Sequence, residues 1–332
     1  MGIHLIIAFC ITTASVVLTR YLFRGLWSKQ TRAVNLLKNL LLLLFTTIYF
    51  MIVLEIIFST FFIQSDRRNF TLASRRWFQI YWNPINSDGY RDFEHKWEEN
   101  IVFVVGDSFV TGHGIKDISD RFSGVLAGKL GTGWTVAVLA QEGWDPLKEY
   151  EALVNHPKKP KRIILSYFIN DIDSAAQENG FNLPEMSLQQ PGAFIRPFVN
   201  RSYFLNWIYW RLPLQERGFM YWDYLEHAFN DPHIWKSHER ELMKFVTYAR
   251  QIGSDIAFVV WPHFSDIEGS TQFTSKVVDF LEGEGVKVID LTRYFSGRDP
   301  DSLIVNSMDP HPNVKANAEV AQLLYDALSP WK

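Results

Sequence analysis

Four residues of this 332-residue chain, Ser108, Asn170, Asp309 and His311, have the types and spacing that nucleophilic chemistry needs. In GDSFVTGHG, Ser108 directly follows the apolar run Ile101–Val105. A sharp strand-to-helix turn at that place exposes the hydroxyl and offers its backbone N–H to a developing oxyanion. Read alone, the same serine also fits a turn or a helix N-cap. In SYFINDID, Asn170 and Asp171 follow a second apolar run, and in MDPHPN the acid Asp309 stands two residues before His311. Together the three stretches point to hydrolysis through an activated serine. Asp107 is expected to order the nucleophile loop through backbone hydrogen bonds rather than to act as the acid. Asp171 and Asp173 fit loop organisation better than a cation site, because no spaced ligand cluster accompanies them. His113 is expected to be structural. His263, in VVWPHFSD, fits a substrate-rim role and a structural role equally well.

These residues need a scaffold that brings distant segments to one place. Ile101–Val105, Val136–Leu139, Arg162–Phe168, Ile256–Trp261 and Val286–Ile289 read as buried strands, with helical intervals such as RFSGVLAGKL between several of them. Fully apolar strands separated by helices predict a mainly parallel central sheet covered on both faces, a three-layer α/β/α sandwich. Parallel strands place polar chemistry at their ends on one shared rim. INSDGYRD marks a turn before the first central strand. GTGWT at Gly131 lacks the lysine of a phosphate-binding loop, so nucleotide chemistry has no support.

The first 66 residues are a different kind of sequence, with five Lys/Arg and two acids against 28 Lys/Arg and 34 acids in the remainder. Leu40–Ile63 holds one charge, Glu55, and is long enough to cross roughly 30 Å of hydrocarbon. Ile3–Thr19 is a shorter candidate span. Arg20, Arg24, Lys29, Arg32 and Lys38 lie between the two with no acid, so the loop is expected on the cytoplasmic side, with both termini outside. Glu55 is expected to be neutralised or to face a helix partner. The acidic remainder excludes a broadly basic nucleic-acid-binding surface, and the single cysteine, Cys10, excludes an intrachain disulfide or a multi-cysteine metal site.

The set of motifs resembles the SGNH/GDSL hydrolase family from about Ile101 to Trp331, with a divergent middle. The resemblance implies that GDSF supplies the nucleophile Ser108, that DPHPN supplies Asp309 and His311, and that Ser108 and Gly143 N–H groups and the Asn170 amide form the oxyanion hole. The AQEG wording around Gly143 departs from an Asn-Gly-containing turn, and Ala316 and Ala318 stand where the family often has glycine. His263, Trp144 and Phe109 are the expected substrate rim. No cofactor and no metal are implied. A classical α/β-hydrolase is disfavoured, since Ser108 lacks the G-x-S-x-G elbow.

The expected organisation is a transmembrane hairpin over 1–66, a juxtamembrane connection over 67–100 and a hydrolase-like domain over 101–332, with an aromatic-rich insert around 174–235. That insert reads as a cap on the site, a bilayer contact or core packing. The expected function is a membrane-anchored serine esterase acting on O-acyl groups of an extracytoplasmic glycan or small carbohydrate ester. Lipid or lysophospholipid hydrolysis, O-acyl transfer and a noncatalytic membrane-associated scaffold are the alternatives. The expected partners are an acylated carbohydrate or lipid substrate and the bilayer, with no nucleic acid.

Overall fold

The computed structural model describes residues 31–183, 190–212 and 221–330. The first candidate span, Ile3–Thr19, and the loop cations Arg20, Arg24 and Lys29 lie outside the described residues. The chain forms two compact units, one of residues 1–64, 70–76 and 189–215, the other of residues 65–69, 77–188 and 216–332.

The larger unit is built on five parallel strands: β1 (Asn100–Gly106), β2 (Trp134–Ala140), β3 (Arg162–Tyr167), β4 (Asp255–Val260) and β5 (Lys287–Asp290), in the order β2-β1-β3-β4-β5. Val105 lies opposite Leu139 on one side and Leu165 on the other, so β1 is central. Alternate residues of β1 enter different cores, as a doubly covered sheet requires. Ile101, Phe103 and Val105 pack with Leu242, Phe245 and Ala249 of the helix Pro232–Ile252. Val102 and Val104 pack on the opposite face with Leu126 and with Val320 and Leu324 of the helix Val314–Ala327. This is the three-layer sandwich that the apolar strands predicted. A short antiparallel hairpin, β6 (Ile304–Asn306) and β7 (Asp309–Pro312), precedes the last helix.

Strand order reverses about β1: the chain moves to β2 on one side, then returns to β3 on the other. In such open sheets the crevice beyond the carboxyl ends of the strands at this switch point is where ligands bind. Ser108, Gly143 and Asn170 follow β1, β2 and β3 respectively.

In the smaller unit the helix Arg32–Phe61 is long and apolar enough to cross a membrane, with a mean hydropathy of 2.6 over its most apolar window and no buried residue in that window. It begins eight residues before the apolar run Leu40–Ile63, because the Thr31 hydroxyl caps the Val34 N–H and Ala, Leu and Lys propagate the helix beyond its apolar centre. Glu55 is not left alone. Its carboxylate accepts from the Ser202 hydroxyl at 2.7 Å and the Tyr203 N–H at 2.8 Å, at the start of the helix Tyr203–Tyr209. Phe58 packs against Phe204 and Trp207. The aromatic insert therefore divides. Residues 196–209 belong with the apolar helix, whereas Tyr224, Leu225, Ala228 and Phe229 of the helix Tyr221–Asn230 are buried in the sheet core.

Candidate active site

Ser108 opens a single helical turn, Ser108–Thr111, immediately beyond β1. Asp107 caps that turn by accepting the Phe109 N–H at 3.0 Å, the loop-ordering role expected from its position. Burial pushes the Asp107 carboxyl up to about 6, against the Phe109 N–H and the charge of His311, which pull it down. The loop is clamped from outside by Arg91 of the DGYRD turn, whose guanidinium donates to the carbonyls of Thr111, Gly112 and Ile115 at 2.7–2.8 Å. Arg121 holds the same turn through a buried ion pair with Asp92 at 2.9 Å. These two arginines were not singled out in the sequence, because a turn signal says nothing of what its side chains will grip.

The hairpin β6–β7 carries the other two residues. His311 Nε2 stands 2.9 Å from Ser108 Oγ, and His311 Nδ1 stands 2.6 Å from Asp309 Oδ1. The carboxylate accepts only, so Nδ1 carries the hydrogen and Nε2 is free to take the proton of Ser108. Asp309 is fully buried. Burial alone would raise its pKa, yet the His311 charge and hydrogen bond, with smaller help from His113 and Ser65, hold it at about 2. It is a permanent anion at neutral pH.

Behind this pair lies a second one. His113 Nδ1 meets Glu142 Oε2 at 2.7 Å, His113 Nε2 meets the Asp66 carbonyl at 2.8 Å, and the His113 ring stacks on His311 with centroids 4.3 Å apart. Burial lowers the His113 pKa, but the Glu142 hydrogen bond and charge and the Asp309 charge override it and raise it to about 9. The Ser65 hydroxyl donates to Asp309 Oδ2. Neither Ser65, Glu142 nor the contact of His113 with the triad was foreseen, since Ser65 is 244 positions from Asp309 and no local motif joins them.

A cavity of about 340 Å³ opens above these groups. It is lined by Ser108, Phe109, Gly143, Asn170, His263 and His311, together with Arg67, Arg68, Asp173 and Tyr221. Gly143 reaches its place through a left-handed turn with φ of 68°. His263 joins the wall with its pKa lowered to about 4, first by burial and then by the Arg67 charge, so it is neutral there. Phe109 packs against both His311 and Phe168. Trp144 is not in that lining: beyond the Gly143 turn its ring meets the edge of Tyr90 instead. Burial pushes Asp173 up to about 6, and Asp171 accepts the Phe168 N–H at 3.1 Å, a loop contact.

His113, Asp309 and His311 bring ligand-type atoms within 4.8 Å of one another. All four imidazole nitrogens are nevertheless engaged with Glu142, Asp66, Asp309 and Ser108, and a cation would have to break that network to bind.

No family model matches the chain, and no curated protein matches it. Among solved structures, it is similar to the psychrotrophic esterase EstA from Pseudoalteromonas sp. (13% identity, 69% of this chain and 97% of that one, TM-score 0.41). It is also similar to the lipase Lip_vut3 from a goat rumen metagenome (16%, 69% and 97%, TM-score 0.44). A third is a carbohydrate acetylesterase family member from Sinorhizobium meliloti (13%, 69% and 97%, TM-score 0.39). Likenesses this distant carry no activity or substrate across. The conclusion rests on the parallel sheet, the serine at its switch point and the hydrogen-bonded relay behind it: the chain carries the Ser108, His311 and Asp309 geometry of a serine hydrolase on a three-layer α/β/α sandwich.

Proposed function

We propose that the protein is a membrane-anchored serine esterase that removes short O-acyl groups from an extracytoplasmic glycan or small carbohydrate ester. The observation that carries the reading is the continuous chain from Ser108 through His311 to Asp309, with contacts of 2.9 and 2.6 Å, at the floor of the cavity.

In the first step Ser108 Oγ attacks the ester carbonyl while His311 Nε2 takes its proton, and Asp309 stabilises the imidazolium that forms. The Ser108 and Gly143 N–H groups and the Asn170 amide receive the oxyanion. The tetrahedral intermediate collapses to a Ser108 acyl ester, and His311 returns the proton to the departing alcohol. Water then attacks the acyl carbonyl with His311 as base, which releases the acid and restores the serine.

The cavity favours a hydroxylated substrate with a short acyl group. Its volume of about 340 Å³ is small for a long chain, and among the described residues Arg67, Arg68, Asn170, Asp173, His263 and Ser265 set polar groups beside the rings of Phe109, Phe168, Phe264 and Tyr221, a mixed wall that suits a sugar ring better than an extended acyl tail. The apolar helix Arg32–Phe61 supports anchoring, and the cations Arg20 to Lys38 favour a domain held outside the cytoplasm.

Full-length protein incubated with acetylated sugars and, in parallel, with acyl lipids and lysophospholipids tests the substrate by product mass. Release of acetate from the sugars by wild type but not by Ser108→Ala is expected. Cleavage confined to the lipids would overturn the carbohydrate assignment. Cysteines introduced between Arg20 and Lys38 and near the C-terminus test the topology, and labelling of the loop from outside with a protected C-terminus would reverse it.

A further inference from the structure

Asp309 spends one oxygen on His311, and its other oxygen also has partners. Oδ2 accepts the Ser65 hydroxyl and lies 3.7 Å from His113 Nε2. Ser65, His113 and Asp309 are 1%, 2% and 0% exposed, so water cannot replace either contact. The segment that brings Ser65 here is fixed along its length. Asn306 Nδ2 donates to the Ser65 carbonyl at 3.1 Å, the Arg67 N–H donates to the Met308 carbonyl at 3.0 Å, and the Asp66 carbonyl accepts from His113. Residues 65–67 thus lie against the hairpin that presents Asp309 and His311.

His113 faces two groups that can only accept, the Glu142 carboxylate and the Asp66 carbonyl, so both ring nitrogens must carry hydrogen. A fixed imidazolium is therefore stacked on His311 at 4.3 Å and 20°. The remaining charged or titratable groups around the pair are Asp309 and Asp107, His263 at the end of β4, and Arg67. Phe78 closes the His113 edge. Gly114 completes the enclosure: a Cβ there would come within 2.7 Å of Asp309 Oδ2, at a φ of 79°.

We infer that Ser65 and His113 are positioning residues of the hydrolase site, holding the oxygen of Asp309 that His311 does not use and thereby fixing the imidazole that activates Ser108. Ser65 follows the apolar helix Arg32–Phe61 by only a few residues, so the stretch leaving the anchor is itself part of the catalytic machinery. The inference rests on the esterase reading above. An anion whose second oxygen loses its donor in a dry site pays part of its desolvation again and can rotate. The stacked imidazolium also sets a fixed positive charge against the His311 ring.

The test uses full-length protein and two readouts, the rate of fluorophosphonate labelling at Ser108 and the steady-state kcat and KM of p-nitrophenyl acetate hydrolysis. Ser65→Ala is expected to lower kcat about ten- to a hundredfold with KM within about twofold, since Ser65 touches no substrate. Ser65→Thr keeps the hydroxyl and is expected to recover most of that loss. His113→Gln removes the charge beside Asp309 and is expected to lower kcat about tenfold with KM within about twofold. Wild type that labels while Ser65→Ala reacts within about twofold of it overturns the inference and leaves the esterase reading standing. So does a natively folded Ser65→Thr as slow as Ser65→Ala, or a His113→Gln protein with wild-type kcat. Folded wild type that does not label overturns the esterase reading instead.

Discussion

Two histidine–carboxylate pairs stand back to back at the carboxyl rim of the sheet. In each, one imidazole nitrogen meets a carboxylate oxygen at nearly the same distance, 2.6 Å for His311 with Asp309 and 2.7 Å for His113 with Glu142. They differ in what the other nitrogen sees. His311 faces a hydroxyl that can surrender a proton, and its side chain is 12% exposed at the cavity floor. His113 faces a backbone carbonyl, which can only accept, and its side chain is 2% exposed. The first pair can cycle a proton, whereas the second holds one. Chemistry here follows from the partner of the second nitrogen and from access, not from pairing a histidine with an acid.

The largest expected effects break the open pair. Ser108→Ala and His311→Gln should each lower kcat by at least about 10⁴-fold while far-ultraviolet circular dichroism stays native, because the remaining groups still bind but cannot activate a nucleophile. A Ser108→Ala protein that keeps wild-type turnover would place the reaction elsewhere. Asp309→Asn keeps the shape but reverses the hydrogen bond that sets the imidazole tautomer, and a loss of about 10³- to 10⁴-fold in kcat is expected, read from steady-state kinetics. Asn170→Ala should cost about 10²- to 10³-fold in kcat, the scale of one oxyanion donor. A change confined to KM would assign Asn170 to substrate binding alone.

The closed pair should instead announce itself through stability. His113 is raised from its ordinary value to about 9, so it binds its proton more tightly in the folded protein than in the unfolded one. Its stabilisation is fully present below about pH 6.5 and is lost as pH rises toward about 9. Thermal melts of wild type across that window should show a decline that His113→Gln lacks; parallel slopes would mean that His113 carries no such charge. Asp309, depressed to about 2, acts in the opposite direction, contributing stability above about pH 4 that disappears as pH falls toward about 2. The smallest expected effect is that of Gly114→Ala, which forces an L side chain into φ 79° against Val305 and Asp309 and should cost a few kcal/mol in chemical denaturation.

The front of the site was legible because its parts are local. Ser108 follows an apolar strand, Asn170 follows another, and Asp309 stands two residues before His311, so short motifs read with the family they resemble name all four residues. Five apolar runs were enough for the sheet, since strands buried on both faces read as unbroken hydrophobic stretches. The back of the site was not legible. Ser65 stands in a juxtamembrane stretch whose composition suggests only a connection, and its partner is fixed by tertiary packing across most of the chain. Glu142 has nothing local to mark it beside Gly143, although it accepts from both His113 and Thr111. Trp144 fitted a substrate rim by its neighbour in sequence, and the turn at Gly143 sends it toward Tyr90. The aromatic insert offered three readings because tryptophan and tyrosine serve lipid, ligand and core alike. Its described residues go to three places, with Phe204 and Trp207 beside the apolar helix, Tyr221 in the cavity wall and Phe229 in the core.

Mass mapping of the full-length protein after fluorophosphonate treatment near pH 7.5 tests most directly whether Ser108 is the nucleophile that His311 and Asp309 prepare. One adduct per chain, located on Ser108 and lost in both Ser108→Ala and His311→Gln, is the expected result. A folded wild-type protein that carries no adduct, or carries it on another residue, would contradict it.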